Sequence, residues 1–112
     1  MQTKKSLFIE LLGDYPTIRI LDFLLTEREL DFSMSDMARN SGIGRATLYR
    51  IWEQLTKNQI IIPTRAIGKS KLYKLNIKNP KIKKLIEIDD MLILEELGNK
   101  AEKQKHKIKV TV

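Results

Sequence analysis

Residues 33–55 read SMSDMARNSGIGRATLYRIWEQL, and the spacing in this stretch predicts two short helices joined by a tight turn. Ser33 stands three residues before an acid, Asp36, in an acidic variant of the capping box, where each side chain can satisfy the other's orphan backbone N–H. Met37 and Ala38 supply the buried side of the first helix, and Ala38 is small where two helices cross closely. Asn40-Ser41-Gly42 end it. Gly42 permits the positive φ of a tight turn, and Ile43 plugs the space between the helices. Leu48, Ile51 and Leu55 then return at helical spacing and predict a second helix over 45–57.

With Leu48 at zero and a step of about 100° per residue, Ile51, Trp52 and Leu55 fall within about 60° of it and form the buried side. Trp52 belongs there as core or interface rather than as a stacking platform. Ala46, Tyr49, Arg50 and Glu53 fall on the opposite side, joined near the start by Arg45 and Thr47. The stretch resembles a helix-turn-helix at nearly every constrained position. The outer face suits such a motif's second helix: arginine for guanine, threonine and tyrosine for phosphate or a thymine methyl, alanine for close approach. An αα-hairpin without DNA contact would share the inner spacing but would not need this outer face.

Asn58-Gln59 breaks the second helix. Ile60-Ile61-Ile62 and Leu72-Tyr73-Lys74-Leu75 then predict two strands. Pro63 suits a strand end or edge, and residues 66–70 supply a glycine-centred hairpin tip. Arg65, Lys69, Lys71 and Lys74 line this hairpin. A basic hairpin after a helix-turn-helix is the winged-helix arrangement, in which residues 65–71 would track phosphates or enter the minor groove.

Before the motif, Leu7, Phe8, Leu11 and Leu12 predict a short helix closed by Gly13 as a left-handed cap. Asp14-Tyr15-Pro16 open another, with Ile18, Leu21, Leu24 and Leu25 as its core stripe. Leu30-Asp31-Phe32 reads as a short edge strand. After the hairpin, Asn79-Pro80 start a long helix over 80–97, capped by Gly98. Its apolar residues cover more than one face, so a second surface must bury it: either the N-terminal helix or the same helix of a partner subunit, through Ile82, Ile86, Ile93 and Leu97. Residues 98–112 read as a basic polar tail. The expected architecture is mainly α with a small β-hairpin, a winged helix-turn-helix domain over 1–97 with an added N-terminal helix and a long C-terminal one.

The charge pattern points the same way. Residues 45–84 hold eleven Lys or Arg and a single acid, Glu53, whereas residues 1–44 hold five and seven and residues 85–112 hold five and six. A basic excess concentrated in one segment marks a face for a polyanion. There is no cysteine, hence no disulfide framework and no thiolate metal site, which fits a reducing, cytoplasmic setting. The N-terminal apolar run is too short for a signal segment, and no stretch approaches the roughly 18 apolar residues of a membrane helix. The lysine- and isoleucine-rich composition fits a thermophilic or archaeal source.

The run Leu12-Gly13-Asp14-Tyr15-Pro16-Thr17-Ile18-Arg19-Ile20-Leu21-Asp22-Phe23-Leu24 resembles the entry helix of small prokaryotic winged-helix regulators, including the arsenic-repressor family and related archaeal proteins. With the motif and hairpin, the resemblance covers residues 7–78. It implies dimeric binding to operator DNA, with Arg45, Ala46, Thr47, Tyr49, Arg50, Arg65, Lys69 and Lys71 at the DNA. Metal sensing does not carry over. The cysteine pair of that family's sensors has no counterpart among Ser33, Ser35 and Asp36, and His106 stands alone in the tail. Neither cofactor nor metal is expected. Enzymatic chemistry is not expected either, since there is no second histidine, no cysteine and no glycine-rich phosphate loop to build a convergent site. Asp89-Asp90 and Glu95-Glu96 read as the solvated side of an interface helix. The competing function is a winged helix used as a protein-interaction module without its own operator.

Overall fold

The computed structural model describes residues 5–111, with side chains as far as residue 101. His106 and the other side chains of the tail beyond that point lie outside the described residues. Five helices and one hairpin follow in order: α1 (Leu7–Leu12), α2 (Pro16–Thr26), α3 (Met34–Ser41), α4 (Arg45–Lys57), β1 (Ile61–Ile67), β2 (Ser70–Leu75) and α5 (Pro80–Thr111).

Local chemistry sets most boundaries. Ser6 Oγ accepts from the Ile9 N–H to start α1, and Pro16 occupies the first turn of α2, where its missing N–H has no partner to lose. Gly13, expected as a left-handed cap, has φ 102° and ψ 153°, a positive-φ extended conformation instead. At α3, Ser33 Oγ accepts from the Asp36 N–H at 3.1 Å, but only this half of the capping box forms, because the Asp36 carboxylate turns to Arg39. Gly42 ends α3 with φ 72° and ψ 30°, and the Ile43 N–H reaches back to the Ala38 carbonyl at 3.0 Å, the long return bond of a Schellman closure.

The core gathers one face from each element. Phe8, Ile20, Leu24, Leu25, Met37, Leu48, Leu55, Leu75 and Ile82 are all essentially sealed from solvent. In α2 the buried set is Ile20, Leu21, Leu24 and Leu25, with Ile18 only half-buried at the edge. Burying a leucine in this way contributes about 1.5–3 kcal/mol, so Leu48 and Leu55 hold α4 firmly by one side.

The hairpin is longer and tighter than expected. β1 and β2 pair antiparallel from Ile61↔Leu75 to Ile67↔Ser70, with an irregularity between Pro63 and Arg65 where the proline cannot donate to the ladder. Its turn is Gly68-Lys69 alone, with Gly68 at φ 61°, the left-handed first position that suits a type II′ hairpin. Phe32 and Tyr73 form an isolated bridge, 2.7 and 2.8 Å for its two hydrogen bonds, so the segment before α3 acts as a third short strand against the hairpin.

The long C-terminal helix departs furthest from expectation. α5 does not stop at Gly98 but continues to Thr111, about 48 Å at 1.5 Å per residue. One helical glycine costs only about 1 kcal/mol, and good helix formers surround this one. Ile82, expected at a subunit interface, is 1% exposed inside the core, and Ile86 packs against that core. Both are therefore spent within the chain. Asp89, expected on the solvated side, is 5% exposed and paired with Arg28. No helix among the described residues is long and apolar enough to cross a membrane.

Candidate nucleic-acid interface

α4 divides cleanly into two sides. Leu48 and Leu55 are buried and Ile51 and Trp52 half-buried, while Arg45, Ala46, Tyr49, Arg50, Glu53 and Gln54 are exposed. Tyr49 is 59% exposed, a large ring with no packing role in the fold. Thr47 lies between the two sides, half-buried, and its hydroxyl accepts from Arg50 Nη2 at 3.2 Å. That bond orients the guanidinium along the helix toward its N-terminal end.

The start of α4 is open electrostatically. Its N-cap is Gly44, with no side-chain cap and no acid in the first turn, so the first backbone N–H groups keep their capacity for an anion. Neither Arg45 nor Arg50 has an acidic partner among the described residues. Both guanidinium groups therefore stand at the surface without an internal counter-charge among the described residues.

The hairpin lies beside this face, packed through Trp52 against Tyr73, whose rings meet edge-on at 4.8 Å and 84°. Lys69 and Lys71 are exposed without acidic partners among the described residues. Arg65 is different. Its Nε donates to Asp31 Oδ2 at 3.0 Å and its Nη2 to Oδ1 at 3.3 Å, with Thr64 Oγ1 also donating to that carboxylate. The guanidinium and the hydroxyl hold the Asp31 carboxyl below the usual range, and the carboxylate raises Arg65 in turn. Arg65 thus ties β1 to the segment before α3, a role that residue type and hairpin position did not disclose.

Two further features escaped the sequence reading. Arg28, just after α2, donates to Asp89 at 3.2 Å and to Asp90 at 3.1 Å, joining α5 to the helical unit. Burial pushes the Asp89 carboxyl up, Arg28 opposes this, and the neighbouring charges of Asp22 and Asp90 add to the rise. Arg19 and, after it, Lys5 converge on Asp14, which they hold well below the usual carboxylate range. Arg19 Nη1 also donates to the Gly42 carbonyl at 3.2 Å. A Cβ at Gly42 would lie 2.8 Å from that Nη1, the movable end of a long side chain, so it is the positive φ that calls for glycine there.

The expected interface residues of α5 separate into two groups. Ile82 and Ile86 serve the core, whereas Ile93 and Leu97 are 45% and 56% exposed. Met91 and Leu94, at 69% and 68% exposed, extend that open surface, and Leu11 and Leu12 are exposed on α1, which packs against α5.

No protein-family model and no curated protein matches the chain. Solved structures do match it. The adhesin competence repressor AdcR of Streptococcus pyogenes is similar with a TM-score of 0.60 at 13% identity, over 89% of this chain and 73% of AdcR. MepR, a transcription regulator of the Staphylococcus aureus multidrug efflux pump MepA, gives 0.55 at 16% identity, over 82% and 70%. NadR in complex with 4-hydroxyphenylacetate gives 0.57 at 17% identity, over 80% of this chain, which spans only 64% of NadR's length. At such identities the likeness is one of fold, the winged helix. The chain has the winged helix-turn-helix fold, with a helix added before it and a long helix after it.

Proposed function

We propose that the chain is a sequence-specific regulator of transcription that binds double-stranded DNA. α4 would enter the major groove and the Gly68-Lys69 hairpin would follow the backbone or minor groove. The observation that carries this reading is the outer face of α4: Arg45, Tyr49 and Arg50 are exposed, neither arginine is paired with an acid among the described residues, and the helix start beside them is uncapped. Two unneutralised arginines beside an uncapped helix N-terminus concentrate positive potential on one face, which suits a polyanion. Arg45, Ala46, Tyr49 and Arg50 would read base edges. Thr47 would orient Arg50, Lys69 and Lys71 would meet phosphates, and Arg65 would set the hairpin's position through Asp31.

A homodimer is part of the proposal. Met91, Ile93, Leu94 and Leu97 on α5, with Leu11 and Leu12 on α1, leave a run of large apolar side chains open to solvent, and such patches mark association surfaces. Two-fold symmetry would present two copies of α4 to half-sites one helical turn apart, about 10–10.5 bp.

Selection of binding sites from a random duplex pool tests the reading. A near-palindromic sequence should be enriched and bound far more tightly than scrambled DNA, with affinity falling steeply as salt rises. Failure of any duplex to enrich would favour the protein-interaction module instead.

A further inference from the structure

Arg28 stands in the turn just after α2, and its guanidinium is held from two directions. Its Nε donates to the Leu25 carbonyl at 2.9 Å, while its Nη2 donates to Asp89 Oδ2 at 3.2 Å and to Asp90 Oδ1 at 3.1 Å. The planar fork cannot swing to a new direction without giving up one of these bonds. Among the described residues, no other side-chain hydrogen bond or ion pair reaches α5 from residues before Asn79.

The contact sits where α5 changes character. Before it, Ile82 is sealed in the core and Leu85 and Ile86 pack against that core; beyond it, Met91, Ile93, Leu94 and Leu97 face solvent. Asp89, 5% exposed, lies between the two parts. Apolar packing is non-directional and leaves two elements some freedom of angle. Charge-assisted bonds from one guanidinium to two successive acids set a direction.

We infer that Arg28 is a positioning residue for operator recognition: by clamping Asp89 and Asp90 it fixes the angle between α5 and the helix-turn-helix, and with it the separation of the two copies of α4 that a duplex meets. The inference rests on the DNA-binding homodimer proposed above. Where two copies meet through the part of α5 beyond Asp89, any change of direction at that residue is passed on to both copies of α4. One added base pair moves the half-sites apart by about 3.4 Å and turns them by about 35° around the duplex. A dimer with this angle fixed is therefore held to one spacing.

Duplexes that keep the selected half-sites and vary their separation one base pair at a time test it, with binding isotherms for the full chain and its variants. The parent should lose about tenfold or more in affinity for each base pair away from the preferred spacing, because the second half-site can no longer be engaged together with the first. Arg28→Met with Asp89→Leu removes both charges, so that no buried ion is left unpaired. This double variant should pay about threefold or less for the same displacement, while its affinity for a single half-site stays that of the parent. A merely structural loss would weaken all spacings alike and leave the ratio between them unchanged. Arg28→Lys, which keeps the charge but not the fork, should fall between the two and decides the matter if the double variant does not fold. The inference alone is overturned if the parent dimerises and selects a spaced site but the variant keeps the parent's spacing penalty within about twofold. A parent that sediments as a monomer, or that enriches no duplex, overturns the reading beneath it as well.

Discussion

Arg65 and Asp31, 34 residues apart in sequence, meet through both guanidinium and both carboxylate positions, at 3.0 and 3.3 Å. The pair ties the turn-proximal half of β1 to the segment before α3 and leaves one basic residue of the hairpin already matched by an acid. Replacing Lys69 and Lys71 together with alanine should flatten the salt dependence of DNA binding by about 0.9 for each phosphate no longer neutralised. Arg65→Ala should flatten it by clearly less, because its charge is already matched. A full unit of slope lost from Arg65→Ala alone would mean that the arginine leaves Asp31 for DNA.

Arg50→Ala should cost about 1–3 kcal/mol of affinity for a selected site and relax discrimination at one base pair. Thr47→Val should produce a smaller loss in the same direction, since it removes the hydroxyl that accepts from Arg50 Nη2. Binding isotherms on the selected site and on single-base variants measure both. Unchanged affinity and unchanged preference in Arg50→Ala would remove that residue from the interface.

Charge placed on α5 should act in two distinct ways. Met91→Glu with Leu94→Glu should leave the fold intact and yield a monomer in sedimentation, because both side chains are more than two-thirds exposed. Ile82→Glu should unfold the protein, since it forces an ion into a position 1% exposed, at several kcal/mol. A wild-type monomer at tens of micromolar with full operator affinity would refute the dimer.

The buried acids should give stability an unusual slope against pH. Asp22 and Asp89 both have folded pKa values raised above their ordinary 3.8, so the native state keeps their protons where the unfolded chain has lost them. Their contribution to stability therefore falls as pH rises from about 4 through those folded values. Asp14 and Asp31, both lowered, act oppositely and lose stabilisation as pH falls below that ordinary value. Asp22→Asn with Asp89→Asn should flatten the melting-temperature profile above about pH 4. A profile as steep as the parent's would show that these two carboxyls do not set it.

Gly98→Ala should stabilise the protein by about 0.5–1 kcal/mol. Gly98 lies inside α5 without a positive φ, and a Cβ there would meet nothing within 4 Å. A terminating left-handed glycine would respond with the opposite sign, so thermal melting of this one variant distinguishes a through-going helix from one that ends at residue 97.

How far the chain could be read from its sequence depended on the range of the interactions involved. The limits of α4 and the turn at Gly42 follow from helix-breaking residues and spacing within a dozen residues, and the structure reproduces both. The division of α4 into buried and exposed sides was likewise legible from a constant angular step. What escaped the reading was long-range. Arg28 and Asp89 are 61 residues apart, and neither residue's local pattern names the other, so an acid read as solvated turned out to be buried. Ile82 and Ile86 could not be separated from Leu97 by hydropathy, since only the position of α5 against the core decides which apolar positions are spent. Gly98 misled for a different reason: its identity permits a cap, but only the backbone shows whether one forms.

The two-sided burial of α4 bears on how such a protein can change. Folding draws on Leu48, Ile51, Trp52 and Leu55, while Arg45, Ala46, Tyr49 and Arg50 contribute almost nothing to the core. Exposed substitutions of that kind usually shift stability by no more than about 0.5 kcal/mol. The surface proposed to read DNA is thus free to drift while the scaffold stays constant, and a library varied at those four positions should retain folded members throughout.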